Sequence, residues 1–322
     1  RQRAFDDKDD TFPLGLKHKI AGTPTKQVFK EIYHFMETGV VDALLFMGDL
    51  TDKGAIDSYS AAVRFIANAL QIGYGREHSN LAVGLVPGNH DINRELAKDP
   101  GFDPKFRPLN EALATERLPQ LPVDCCVHMG IGAQNAEVNV ILMNSCWGCG
   151  SRTLIPSEFR SSIADAIDHA IATGGDAELA AYYDRQLDTP AFSDDGISHF
   201  LSLANGTAAG GLLVAVAHHN LLPQRASRIA PYTELINSGR VRQAMTQLER
   251  PIVYLHGHIH EDPIEIVQIP NGQPLLCISA PAAEDGFNVV EVKFTRHGIP
   301  LACEITAWRF DEAGNLKGMP PI

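Results

Sequence analysis

Short, continuously apolar runs alternate along this chain with segments whose apolar positions recur every third or fourth residue. Thr23-Pro24 has the form of an N-cap followed by a first-turn proline, and Val28, Ile32, Phe35 and Met36 follow at helical spacing. The run 41–47 reads as a buried strand. A second helix then carries Tyr59, Ala62, Val63, Ile66 and Leu70 on one face, and 81–86 reads as another strand. Further strands are expected at 138–143, 212–217, 252–255, 275–279 and 287–294. Several are apolar without a break, as strands covered on both faces are. The last, running from Phe287 to Phe294, is nearer the period-two alternation of a half-exposed strand. Between Asp91 and Leu212 the chain is first proline-rich and then helical, with helices expected over 157–172 and 176–187. The pattern predicts one α/β domain over 1–322 with a partly helical insertion at about 92–210.

Polar chemistry is concentrated where four of these strands stop. The run 41–47 enters Gly-Asp-Leu-Thr-Asp-Lys-Gly at 48–54, and 81–86 enters Pro-Gly-Asn-His-Asp at 87–91. The run 212–217 enters His-His-Asn at 218–220, and 252–255 enters His-Gly-His-Ile-His at 256–260. Open α/β sheets bind ligands beyond the carboxyl ends of their strands, so four such ends can share one crevice. Asp, Asn and His together form a mixed oxygen and nitrogen donor set. That set suits manganese, iron, zinc or nickel and differs from the oxygen-only cage of calcium. His258 and His260 are two apart and share a face of an extended chain.

Composition adds limits. The chain has 322 residues, 44% apolar and 20% charged, which is ordinary for a globular protein. No apolar run reaches the roughly 18–20 residues that span a bilayer, and the opening residues are polar, so a cytoplasmic protein without membrane partners is expected. A net charge of −12 counts against unspecific grip on duplex nucleic acid. It does not count against a phosphate substrate, because bound divalent cations invert the local field. Six cysteines are too sparse for a disulfide framework. Cys146-Trp147-Gly148-Cys149 has redox or metal-ligand spacing, but no second such pair partners it, and reduced thiols in a loop are expected.

Gly-Asp-Leu-Thr-Asp-Lys-Gly, Gly-Asn-His-Asp, the His218 segment and Gly-His-Ile-His, in this order, resemble the calcineurin-like metallophosphoesterases. The resemblance implies a four-layer α/β/β/α sandwich, two packed mixed β-sheets flanked by helices, holding two divalent metal ions. It implies Asp49 as the carboxylate bridging both ions, Asn89, His218 and His258 as ligands of the second, and His260 as a ligand of the first. His90 matches a histidine that binds no metal and protonates or steadies the leaving oxygen. Asp52 matches an acidic residue that orients that histidine, with Asp91 a competitor for the role. His219 is weighed as a further metal contact, and His256 is read as structural. The implied reaction is hydrolysis of a phosphate ester, foremost a phosphodiester, by a metal-activated hydroxide, with manganese, iron, zinc or nickel as the metals.

The chain departs from the family at one point. No Asp-x-His, the motif that opens the family pattern, occurs in the sequence. The opening Arg-Gln-Arg-Ala-Phe-Asp-Asp resembles the loop that follows that motif, so a chain beginning just after it is expected. Otherwise the first ion keeps Asp49 and His260, with Asp6, Asp7 or Asp10 as substitutes. Lys53 and Asp91 stand where phosphoprotein phosphatases carry arginine and glutamate, and lysine lacks the planar grip of arginine on phosphate. The motifs look closer to the bacterial cyclic-nucleotide phosphodiesterase type. A small phosphate ester or nucleotide is therefore the expected substrate, and nucleic acid is not favoured. The alternatives are a nuclease of the same superfamily, or a catalytically impaired binding or regulatory domain lacking the first metal half-site.

Overall fold

The computed structural model describes residues 23–39, 41–51, 54, 56–99, 101–133, 136–173, 189–208, 210–223, 235–259, 263–268, 270 and 272–322. Its spine is a six-stranded sheet in the order β3-β4-β5-β6-β8-β7. These strands are β3 (Val127–Ala133), β4 (Ala136–Leu142), β5 (Leu212–Val216), β6 (Ile252–His256), β7 (Ile264–Val267) and β8 (Leu275–Ser279). The four inner strands run parallel, and β3 and β7 close the edges antiparallel. Two smaller sheets accompany it. One is the parallel pair β1 (Ala43–Phe46) and β2 (Ala82–Leu85). The other is the antiparallel set β11-β10-β9, formed by β9 (Gly286–Phe294), β10 (Pro300–Phe310) and β11 (Leu316–Gly318). The expected two sheets are thus three hydrogen-bonded groups among the described residues, with both smaller ones packed on one face of the large one.

Alternation along the central strands explains the layering. In β5, Val214 and Val216 pack with Val140, Leu142, Val253, Leu255 and Ile278 against Leu45, Met47 and Val86 beside the β1–β2 pair, and against Val292 and Ile305 of β9 and β10. Leu213 and Ala215 point the other way. There they meet α5 (Asp194–Gly206), through Ile197, Phe200 and Ala204, and α6 (Ser238–Thr246), through Val241 and Met245. Each fully buried side chain of this size stabilises the fold by about 1.5–3 kcal/mol. Such strands lack a polar face because both faces are covered. On the outer side of β1 and β2 lie α1 (Pro24–Glu37), α2 (Ile56–Leu70) and α3 (Arg107–Thr115), joined by Phe29, Tyr33, Val63, Leu70, Leu109 and Leu113. The layers are α/β/β/α.

The helix expected over 157–172 is α4 (Arg160–Thr173) and starts later, because Pro156 opens a turn closed by the Phe159 N–H on the Pro156 carbonyl at 3.0 Å. The helix expected over 176–187 lies outside the described residues. The stretch 92–210 is joined to the rest of the fold. It supplies α3 to the outer helical layer and β3 and β4 to the central sheet. No helix of the described residues is long and apolar enough to cross a membrane.

Candidate metal centre

The loops after β1, β2, β5 and β6 meet. After β1 the backbone turns left-handed twice, at Gly48 (φ 91°) and Asp49 (φ 55°). A Cβ on Gly48 would lie 2.6 Å from the Gly88 nitrogen and 2.7 Å from His218 Nδ1, so this crossing of three loops requires glycine. Asp49 tolerates the conformation as a short polar residue. Its Oδ1 accepts the His90 backbone N–H at 3.0 Å, and its Oδ2 lies 3.3 Å from His218 Nε2. Gly88 leaves room for that carboxylate: a Cβ there would sit 2.1 Å from Asp49 Oδ1.

His218 is 1% exposed at the end of β5. Its Nδ1 donates to the Met47 carbonyl at 2.6 Å, because a carbonyl only accepts. Nε2 then faces Asn89 Oδ1 at 3.1 Å and Asp49 Oδ2 at 3.3 Å. A neutral His218 would aim one lone pair at two oxygens. Positive charge resolves this, either as a proton on Nε2 or as a cation among the three atoms. Burial alone would lower the His218 pKa, but the Asp49 charge and hydrogen bond and the Met47 carbonyl raise it above the ordinary value. Burial would likewise raise Asp49, yet the His218 charge and hydrogen bond and the His90 N–H bring it well below the usual carboxylate range. Imidazole nitrogen, amide oxygen and carboxylate oxygen fit a divalent transition metal, and the Met47 carbonyl fixes the tautomer that binding requires.

His258 follows β6 with φ 68°, like Asp49 a non-glycine residue in the left-handed region at a strand end. Its ring centroid lies 5.1 Å from that of His218 and 4.5 Å from that of His219. One ring nitrogen from each of these three histidines lies within 4.8 Å of the others. Of the residues expected from the sequence, Asp49, Asn89, His218 and His258 come together. His90 lies beside them, with an exposed side chain. Asp52 and His260 lie outside the described residues.

Asp91, weighed for orienting His90, is fully buried and ties two loops together. Its Oδ1 accepts the Thr51 N–H at 2.9 Å and the Thr51 hydroxyl at 3.3 Å, and its Oδ2 accepts the Gly88 N–H at 2.9 Å. Burial and the charge of Asp49 push its pKa up to about 6 against those hydrogen bonds. His256 is buried at the end of β6, and burial brings its pKa down to about 4, consistent with its structural reading. The sequence reading missed Ser145, whose Oγ meets both the backbone N–H and Nδ1 of His219 at 3.1 and 2.9 Å. A serine directly after a strand carries no signal of such a contact. Cys146 and Cys149 are free and buried in a turn. Lys105, 1% exposed, holds that turn by donating to the carbonyls of Trp147 and Cys149.

Residues 24–146 match the family model of calcineurin-like phosphoesterases. No curated protein matches the chain. Among solved structures it is similar to a dimetal phosphatase from Danio rerio, at 12% identity and a TM-score of 0.51, covering 92% of this chain and 88% of that one. A 5′-nucleotidase precursor from Thermus thermophilus is more distant in structure, at 15% identity and a TM-score of 0.41, covering 88% of this chain and 48% of that one. The chain thus spans about half the length of that nucleotidase. At these identities the structural likeness concerns the fold. Carboxylate, amide and imidazole donors gathered at the strand ends of this sandwich suit divalent cations. Over residues 24–146 the chain is similar to the calcineurin-like phosphoesterases, and its fold is similar to that of the dimetal phosphatase.

Proposed function

We propose that this chain hydrolyses small-molecule phosphodiesters, with nucleotides among the candidate substrates. The convergence of His218 Nε2, Asn89 Oδ1 and Asp49 Oδ2 within 3.1–3.3 Å carries the reading. Asp49, Asn89, His218 and His258 would hold divalent cations, with His260 completing the set. When bound, such cations supply Lewis acidity toward phosphoryl oxygens and acidify water. Manganese, iron, zinc and nickel all suit these donors.

The protein's own part is positional. Asp49 fixes the backbone of His90 through its N–H, and the Thr51 hydroxyl donates to the His90 carbonyl at 2.9 Å. The main chain of His90 is therefore held on both sides while its ring is exposed at the mouth of the site. We assign that ring to give a proton to the leaving oxygen, with Asp52 orienting it. Phosphodiesters are preferred over phosphoproteins because Lys53 replaces a bidentate arginine. The six unpaired cysteines support a cytoplasmic location.

The test compares bis-(p-nitrophenyl) phosphate with p-nitrophenyl phosphate, using metal-depleted protein reloaded with manganese, zinc or nickel. Turnover of the diester, abolished in Asn89→Ala and strongly reduced in His90→Ala, is the expected result. Equal turnover in both variants and the parent would end the site assignment, and monoester preference would end the diester assignment.

A further inference from the structure

We propose that His219 is an additional metal ligand of this centre, binding through Nε2, with Ser145 as its positioning residue. The inference rests on the reading of the site as a metal centre. His219 is fully buried, and its Nε2 has no hydrogen-bond partner among the described residues. Such an orphan is costly unless something outside the protein atoms receives it.

Two tautomers are open to the His219 ring, and the one that turns a lone pair toward the centre fits a metal. The Ser145 hydroxyl oxygen accepts the His219 backbone N–H at 3.1 Å and lies 2.9 Å from Nδ1. If Ser145 donated to Nδ1, the ring proton would sit on Nε2 as a buried N–H with no acceptor among the described residues. If Nδ1 donates to Ser145, Nε2 presents a lone pair to the centre. This second arrangement repeats that of His218, whose Nδ1 donates to Met47 while Nε2 faces the donor set. A metal-binding imidazole ordinarily has its far nitrogen anchored in this way.

Distance is close to sufficient. One ring nitrogen from each of His218, His219 and His258 lies within 4.8 Å of the others. With metal–nitrogen bonds of about 2.0–2.1 Å, ligand atoms are separated by about 3–4 Å, so a small inward adjustment closes the set. The rival use of His219 is a thiolate site with Cys146 and Cys149, since Cys146 Sγ lies 3.8 Å from Nδ1. That site would take the nitrogen that already has a partner and leave the orphan unexplained. A third imidazole makes the centre nitrogen-rich, which favours cobalt, zinc, iron or nickel over magnesium.

The test is titration of the metal-depleted full chain with cobalt(II), following visible absorption, binding affinity and stoichiometry. His219→Ala is expected to weaken the tightest cobalt site by about 100-fold and alter its spectrum, and Ser145→Ala to weaken it by about 10-fold. Imidazole added to His219→Gly should restore the spectrum. The parent protein gives an independent measure that no folding defect can obscure: in ¹⁵N-histidine spectra, the His219 Nε2 resonance should move on zinc addition. An unmoved resonance, or a His219→Ala variant with parental affinity and spectrum, overturns the proposal. So does a near-ultraviolet sulfur–cobalt band that vanishes in Cys146→Ser. Failure of the parent to bind any cobalt would refute the metal-centre reading itself. Cobalt lost in His218→Ala but kept in His219→Ala would refute only this inference.

Discussion

The two halves of the centre are built by opposite means. The half after β1 and β2 offers oxygens, and hydrogen bonds fix them: Asp49 takes the His90 N–H, and Asp91 takes the N–H groups of Thr51 and Gly88. The half after β5 and β6 offers nitrogens, and burial governs them: His219 and His256 have pKa values depressed first by loss of solvent. His218 belongs to the nitrogen half by position and to the oxygen half by contact, and it alone of the three has a raised pKa. The comparison teaches that neither half is a binding site by itself. One has negative charge already held by donors, and the other has imidazoles that are mostly buried.

The widest separation of the two halves should come from chemistry rather than binding. His90→Ala removes a group exposed at the rim, so turnover is expected to fall by about 10²–10⁴-fold with metal stoichiometry unchanged. Steady-state rates alongside metal analysis check this. His218→Ala uncouples the halves, and calorimetric titration should show metal affinity lower by more than about 100-fold, beyond the effect of losing a supporting group. Within the oxygen half alone, Asp91→Ala strands two buried N–H groups and should cost about 2–3 kcal/mol in urea denaturation of the metal-free chain.

Acid should expose the contrast most finely. Asp91 has its folded pKa raised to about 6 from 3.8, so the folded state binds the extra proton. Its contribution therefore grows as pH falls from 6 toward 4. His256 has its folded pKa lowered to about 4 from 6.5, so the unfolded state binds the extra proton. Its contribution is full above pH 6.5 and is lost as pH falls toward 4. Each amounts to about 3 kcal/mol at most, and the two oppose each other. Between pH 6.5 and 4, His256→Phe should become less sensitive to acid than the parent protein, and Asp91→Asn more sensitive. Denaturation midpoints across that range are the measurement, and parallel slopes in all three proteins would break the comparison.

Much of the fold is legible in the sequence because the central strands are covered on both faces. Strands at 212–217, 252–255 and 275–279 announce themselves as apolar runs, and the observed β5, β6 and β8 fall there. β3, which pairs with β4 along its whole length, shows only as a period-two alternation of Val127, Met129 and Ile131 with His128, Gly130 and Gly132, a weaker signal than an unbroken apolar run. α5 is concealed by Gly196 in its first turn, where the Ser193 hydroxyl accepts the Gly196 N–H at 2.9 Å. At the site, Asp49, Asn89, His218 and His258 can be read from motif and position. Ser145 and the organising role of Asp91 cannot, because a hydrogen bond across 74 or 40 residues leaves no trace in local spacing.

The chain has two tryptophans, placed far apart in function. Trp147 stacks on Phe102 with ring centroids 3.8 Å apart, in the turn that Lys105 holds behind His219. Trp308 stacks on Phe287 and meets Phe35 of α1 edge-on, joining the outer sheet to the first helix. Each indole is thus an optical reporter for one neighbourhood. With the other replaced by phenylalanine, emission from Trp147 would follow events at the strand ends, and emission from Trp308 would follow the docking of β9 and β10. The molecule carries its own pair of probes for watching the rim of the candidate centre and its periphery separately.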